Sequence, residues 1–201
     1  MLITFEGLDG SGKTTQASLL VDHLKAIGKH VLFLREPGGT TVSEKIRSIL
    51  LDRDHLEIAQ TTELFLFSAA RAQLVREVIL PALGAGSVVV CDRYCDSTTA
   101  YQGYGRGLPL EEIRGINSLA TAGRMPDVTL LVDVDLEELK KRRKGAADRM
   151  ESSGDEFYRR VRDGYRTLAA REPGRITVVD GMRGAQLIHE EIKSIVTKKL
   201  S

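Results

Sequence analysis

Residues Gly7-Leu8-Asp9-Gly10-Ser11-Gly12-Lys13-Thr14 follow the spacing Gly, four residues, Gly, Lys, Ser or Thr. Leu2-Ile3-Thr4-Phe5 before them is an apolar run of strand length. After them Ala17, Leu20, Leu24 and Ile27 recur at steps of three and four, one face of a helix. A glycine-rich loop between a strand and a helix is the setting in which this pattern forms a phosphate-binding P-loop. Its glycines let the backbone curl and point N–H groups at phosphate oxygens, at the positive end of the following helix. Lys13 supplies a mobile charge for the β- and γ-phosphates, and the Thr14 hydroxyl is suited to Mg²⁺. The chain is therefore expected to bind a nucleoside triphosphate, with ATP as the default.

The remainder alternates short apolar strands with helices. Strands are expected at 30–34, 88–91, 128–132 and 176–179, and helices at 41–50, 61–83, 110–122, 136–144, 155–171 and 185–198, with a further helical stretch from about Ser97 that Gly103 to Gly107 breaks. In the first of these helices Val42, Ile46, Ile49 and Leu50 form the apolar side. This order implies an α/β layered fold, one domain spanning 1–201 around a parallel sheet. Ligands then collect beyond the carboxyl ends of the strands. There stand the P-loop, Glu36-Pro37, Asp92-Arg93 and Asp133.

Several residues carry candidate chemistry. Asp92 closes an apolar strand, as the acid on the Mg²⁺ side of P-loop enzymes does, or is a strand-end turn residue. Arg93 can clamp an anionic acceptor bidentately or simply pair with Asp92. Arg71 places a guanidinium on the seam Leu64, Phe67, Arg71, Leu74, Val78. With Phe67 one turn earlier it fits base recognition, although Phe67 is equally good core. The run Lys140 to Lys144 next to the apolar-poor segment 145–154 reads as a solvated helix end, a basic patch or a lid. Cys91 and Cys95 are expected as reduced thiols.

With 29 basic and 28 acidic residues, net +1, the chain lacks the basic excess of a general nucleic-acid binder. No apolar run reaches the roughly 20 residues of a membrane span. Glu6 and Asp9 interrupt any signal-peptide pattern, so cytoplasmic placement is expected.

Taken together the chain resembles thymidylate kinases. The resemblance rests on residues 5–15 (Phe-Glu-Gly-Leu-Asp-Gly-Ser-Gly-Lys-Thr-Thr), 35–40 (Arg-Glu-Pro-Gly-Gly-Thr), 68–73 (Ser-Ala-Ala-Arg-Ala-Gln), 92–94 (Asp-Arg-Tyr), 97–103 (Ser-Thr-Thr-Ala-Tyr-Gln-Gly) and 148–151 (Asp-Arg-Met-Glu). It implies a three-layer P-loop kinase fold with a five-stranded parallel sheet and a short lid at about 142–154. It implies transfer of a phosphoryl group from Mg-ATP to dTMP, giving dTDP and ADP for dTTP synthesis, by a homodimer acting on small molecules.

By the same resemblance Phe67 stacks on thymine, Arg71 bonds its O4 edge, and Pro37 lies near the base methyl. Arg47 and Arg93 hold the acceptor phosphate, and Asp9 and Tyr101 face the deoxyribose. Glu36, Ser97, Thr98 and Gln102 complete the acceptor set, with the role of Thr98 open because some relatives carry Asn there. ATP falls to Gly7, Leu8, Asp9, Gly10, Ser11, Gly12, Lys13, Thr14 and Thr15, with Arg142 and Arg143. Thr14 and Asp92 serve the metal. Catalysis falls to Lys13, Asp9, Asp92, Arg93 and Arg149, since Gly10 leaves the P-loop without an arginine and the subtype with glycine there draws its catalytic cations from the lid. Another small-acceptor P-loop kinase, a nucleotide switch and a nucleic-acid ATPase are the rival readings.

Overall fold

The computed structural model describes residues 1–142 and 154–200. Five strands form one sheet: β1 (Leu2–Glu6), β2 (Val31–Arg35), β3 (Val88–Asp92), β4 (Val128–Asp133) and β5 (Ile176–Asp180). Their order is β2-β3-β1-β4-β5 and every pairing is parallel, with Phe5 opposite Asp92 on one side and Leu130 on the other. β1 and β3 are buried along their whole length, the continuous apolar signature of strands covered on both faces. The edge strand β2 is only partly covered.

The helices are α1 (Lys13–Ala26), α2 (Thr41–Leu51), α3 (Gln60–Leu74), α4 (Leu80–Gly84), α5 (Cys95–Thr98), α6 (Leu110–Ala120), α7 (Leu136–Arg142), α8 (Gly154–Arg171) and α9 (Ala185–Leu200). One core joins the sheet to α1 and α9 through Ile3, Phe5, Leu20, Leu130 and Ile192. A second lies under α3 and β3 around Leu74, Ile79 and Val89. A third packs α8 on the sheet through Phe157, Val161 and Tyr165.

The expected elements are present, with four corrections. β2 is shifted by one residue, and β3 to β5 run one residue further, so Arg35, Asp92, Asp133 and Asp180 are the last residues of their strands. The long helix expected at 61–83 spans 60–84 but passes through a π-helical turn, Val75–Ile79. Pro81, lacking an N–H, stands just beyond that turn. Gly103 does not break the stretch after Ser97, because α5 continues as a second π-helix, Thr99–Gly105. Finally, α2 buries Ser43 and Leu50 against α3, and this rotation leaves Val42 and Ile49 exposed.

Candidate active site

The P-loop is built by three glycines with positive φ. Gly7, at 137°, comes close to β4: a Cβ there would lie 2.5 Å from the Val132 carbonyl oxygen. Gly10 and Gly12, at 83° and 91°, take left-handed turns that other L-residues avoid. Gly12 caps α1, so the helix begins at Lys13 with its unpaired amides facing the loop. Lys13 is buried, and its Nζ makes only long contacts, 3.4 Å each, to the Leu8 carbonyl and Asp9 Oδ1. Burial and then the charge of Arg93 pull its pKa below the usual lysine value.

Thr14, one residue on, donates its hydroxyl to Asp92 Oδ2 at the end of β3. Asp92 Oδ1 is buried with no partner. A hydroxyl and a carboxylate with a spare buried lone pair are hard oxygen donors of the kind Mg²⁺ uses when phosphates and water supply the other ligands. Thr14 and Asp92 therefore fit the metal. Among the described residues no cluster of three His, Cys, Asp or Glu side chains suited to a metal cage occurs.

Arg93 has a left-handed backbone, φ 71°, which turns its side chain back over the P-loop. It pairs with Asp9 and not with Asp92: Nη2 lies 2.7 Å from Asp9 Oδ1 and 3.1 Å from the Tyr101 hydroxyl, which itself donates to Asp9 Oδ2. Its Nη1 donates to Ser97 Oγ at 3.0 Å and to the Tyr165 hydroxyl at 3.3 Å, and its guanidinium sits over the Tyr101 ring. Burial works against ionised Asp9, but the charges of Arg93 and Lys13 together outweigh it and hold the carboxyl well below the usual range.

Beside this pair opens a cleft. Asp9, Arg47, Arg93 and Ser97 border one part of it. Glu36, Pro37, Phe67, Arg71, Thr98, Tyr101 and Gln102 border the rest, so all eleven acceptor candidates meet around one space. Leu51, at the end of α2, also lines it and carried no sequence signal beyond helix periodicity.

Arg71 is 2 % exposed and accounts for most of its donors: Nε to Glu36 Oε2 at 2.6 Å, Nη1 to Thr98 Oγ1 and Asn117 Oδ1, and Nη2 to the Tyr94 carbonyl. One Nη2 proton remains for a ligand. Thr98 thus acts as an acceptor that orients Arg71. Burial pushes the Glu36 carboxyl up to about 7 against the pull of Arg71, and Glu36 Oε1 is buried without a partner. Gln102 donates to Glu63, itself buried and held by Arg106, so its amide is fixed from behind. Arg47 Nη1 donates to the Pro37 carbonyl.

A second cleft, reaching from Lys13, Thr14 and Asp92 past Arg35, shares Asp9, Glu36, Arg47 and Arg93 with the first. A third lies on the far side of the P-loop, between Ser11, Gly12 and Thr15 on one side and Arg142, Gly181 and Arg183 on the other. Arg142 is fixed there by Glu138 and the Gly181 carbonyl. Gln16 and Arg183 line it too and were not singled out by motif. Leu8 sits in the α8-side core and offers only its backbone to the loop. Arg143, Lys144 and Arg149 lie outside the described residues.

Neither Glu6 nor Tyr165 is among the site candidates that the sequence offers. Glu6 is fully buried at the end of β1, and its carboxyl is pushed up to about 7 by burial first and the charge of Asp96 next. It accepts from the amides of Tyr94 and Ser97 and from the hydroxyls of Ser97 and Tyr165.

The model of one protein family, Thymidylate kinase, matches residues 5–192. The thymidylate kinase of Caldanaerobacter subterraneus subsp. tengcongensis is 49 % identical over 98 % of this chain and 95 % of its own. That of Pelotomaculum thermopropionicum is 51 % identical over 94 % of this chain and 89 % of its own. The crystal structure of thymidylate kinase from Ehrlichia chaffeensis superposes with a TM-score of 0.82 at 37 % identity, covering 98 % of both chains.

Proposed function

Because the chain belongs to the thymidylate kinase family, we propose how its clefts divide the work of that family's reaction. The enzyme transfers a phosphoryl group from ATP to dTMP, giving dTDP and ADP. The observation that carries the division is the Arg93–Asp9 pair, which borders both the acceptor cleft and the P-loop cleft.

In this reading the triphosphate lies along the P-loop amides with Lys13 at the β- and γ-phosphates. The nucleoside end of ATP lies between Thr15 and Arg142, where Arg183 also reaches. Thr14 and Asp92 hold Mg²⁺, which when bound neutralises charge on the phosphate oxygens. The thymine ring rests on Phe67 with Pro37 beside it, and Arg71 offers its remaining Nη2 proton to the base. Tyr101, braced by Asp9 and Arg93, faces the sugar. Arg47 and Arg93 hold the acceptor phosphate, with Arg35 at the edge of the same space. Asp9, kept ionised by Arg93 and Lys13, orients both cations. Phosphoryl transfer needs this positioning and charge more than covalent chemistry. Gly10 leaves the loop with Lys13 as its only side-chain cation, so the lid at about 142–154, with Arg149 foremost and Arg142, Arg143 or Lys144 in support, supplies the rest.

The chain acts as a single kinase domain in the cytoplasm; no helix among the described residues is long and apolar enough to cross a membrane. It works as a homodimer. Val42 and Ile49 on α2, Phe65 on α3 and Leu119 on α6 are exposed, and α2 and α6 both pack on α3.

The test of substrate choice is ADP release from ATP with dTMP, dUMP, dGMP, UMP and AMP in parallel. dTMP should lead and UMP should fail, since a 2′-hydroxyl would meet the Tyr101 ring. Equal kcat/KM for dTMP and UMP would remove Tyr101 from the sugar site.

A further inference from the structure

Tyr165 lies in the middle of α8, 3 % exposed, and its hydroxyl is surrounded by groups from three other parts of the chain. It lies 2.8 Å from Glu6 Oε2, 2.9 Å from Ser97 Oγ and 3.3 Å from Arg93 Nη1. Ser97 repeats the arrangement, donating to Glu6 Oε2 at 2.6 Å while accepting from Arg93 Nη1 at 3.0 Å. The chemistry of the three partners sets the direction of these bonds. A guanidinium can only donate and a carboxylate only accept. Each hydroxyl therefore gives a lone pair to Arg93, and their protons point to Glu6 Oε2, directly or, for one of them, through the 2.9 Å contact between the two hydroxyls. Glu6 and Arg93 are thereby linked through the two hydroxyls.

The two ends of the Arg93 guanidinium are thereby used differently. Nη1 is held by Ser97 and Tyr165, and Nη2 by Asp9 and Tyr101. An acceptor phosphate can take over the Nη2 edge while Nη1 keeps the plane of the group fixed. That hold matters because the Arg93 backbone, at φ 71°, is in a conformation L-residues avoid and needs its surroundings to keep it there. α8 is a firm base for the purpose. Arg162 forks onto both Asp133 oxygens at 2.7 and 3.1 Å, and Arg160 bonds twice to the Gly105 carbonyl. The Tyr165 ring meets Tyr101 edge-on, with centroids 6.3 Å apart.

We propose that Tyr165 is a positioning residue for phosphoryl transfer, which together with Ser97 carries the orientation of the Glu6 carboxylate to Arg93 and so fixes, from the helix that follows the lid, the cation that receives the acceptor phosphate. This rests on the reading of Arg93 as a ligand of that phosphate.

The experiment is calorimetric titration of Tyr165→Phe with dTMP and with thymidine, beside ATP kinetics. The substitution removes one hydroxyl and keeps the ring. Affinity for dTMP should fall about tenfold, the scale of one hydrogen bond to a charged group. Affinity for thymidine and the KM for ATP should stay as in the wild type, and Ser97→Ala should show the same selectivity. In an Arg93→Ala background Tyr165→Phe should do nothing further to dTMP affinity. No loss, or equal loss for both ligands, while Arg93→Ala itself selectively weakens dTMP, overturns the role of Tyr165 alone. If Arg93→Ala weakens both ligands equally or neither, the phosphate role of Arg93 falls, and this inference falls with it.

Discussion

Replacing Arg71 by Ala should damage stability and recognition separately, in ways the surroundings of the guanidinium define. Arg71 and Glu36 are a buried pair at 2.6 Å, side chains 2 % and 4 % exposed. Without Arg71, Glu36 has no hydrogen-bond partner for either oxygen, since Oε1 already lacks one. Thr98, Asn117 and the Tyr94 carbonyl also lose their donor. Breaking one side of a buried pair costs roughly 3–5 kcal/mol. That is a large part of the 5–15 kcal/mol typical of a domain, but it leaves a measurable folded population.

The loss should also depend on pH. Burial already pushes the Glu36 carboxyl up to about 7, above the ordinary 4.5. A carboxyl with a raised folded pKa contributes stability that is complete below the unfolded value and lost as pH rises through the folded one. Removing Arg71 pushes the folded value higher, so the variant goes on losing stability above pH 7, where the wild type no longer does. The gap between the two should widen by about 1 kcal/mol from pH 6 to pH 8. Glu36→Gln in the Arg71→Ala background removes the carboxyl altogether, so the gap between that double variant and the wild type should narrow over the same range instead of widening. The assay is urea unfolding of the two variants and the wild type at both pH values, with dTMP and ATP titrations alongside. Affinity for dTMP should fall at least about tenfold and ATP should be unaffected. A stability loss below about 1 kcal/mol, or one identical at pH 6 and 8, would refute the reasoning about the buried pair. A shift in ATP affinity rather than dTMP would refute the base-site assignment.

Lys13→Ala should lower kcat by a factor of at least about a hundred, as loss of a preorganised charge does, with thermal unfolding little changed because its present contacts are long; a folded variant with near-normal kcat would exclude Lys13 from the transition state. Gly105→Ala places a methyl 2.6 Å from Phe157 and 2.7 Å from Val161, so unfolding should come about 1–3 kcal/mol sooner by denaturant titration, whereas an unchanged midpoint would mean α8 can retreat. On the proposed homodimer, Phe65→Glu, at an exposed position, should sediment as a monomer at micromolar concentration while the wild type sediments at twice that mass; a persisting dimer would place the interface elsewhere.

The sheet and its helices were legible because burial on two faces writes itself as runs such as Val88–Cys91, and because a lone arginine on an apolar seam stands out. What escaped has physical reasons. A π-helix has no side-chain period of its own over five to seven residues, and Gly103 and Gly105, which read as breakers, are there to admit Leu110 and Phe157. Tyr165 looks like any aromatic on the buried side of an amphipathic helix; its hydroxyl matters only because Glu6, 159 residues away, lies under it. Glu6 falls within the stretch 5–15 but precedes the glycine-lysine pattern, which gives it no role of its own. Arg93 follows Asp92 directly, yet its partner is Asp9, 84 residues distant, because the left-handed backbone turns it away from its neighbour. Asn117 is one of several polar residues on α6, and nothing local marks it as a support for Arg71.

The π-helix Thr99–Gly105 also bears on which molecules could be designed to compete with dTMP. It carries Tyr101 and Gln102 and forms one side of the acceptor cleft. Behind it, Gly103 lies against Leu110 and Gly105 against Phe157 so closely that even a methyl group would not fit. An inhibitor enlarged on the sugar side therefore presses on a wall with no room to retreat, and added bulk there should reduce affinity whatever its polarity. Leu51, the last residue of α2, also lines the cleft, and the chain after it, from Asp52 to Ala59, has no regular secondary structure and keeps Leu56 75 % exposed. Substituents grown toward that segment meet chain outside the regular elements, and that is where chemical elaboration should be tolerated.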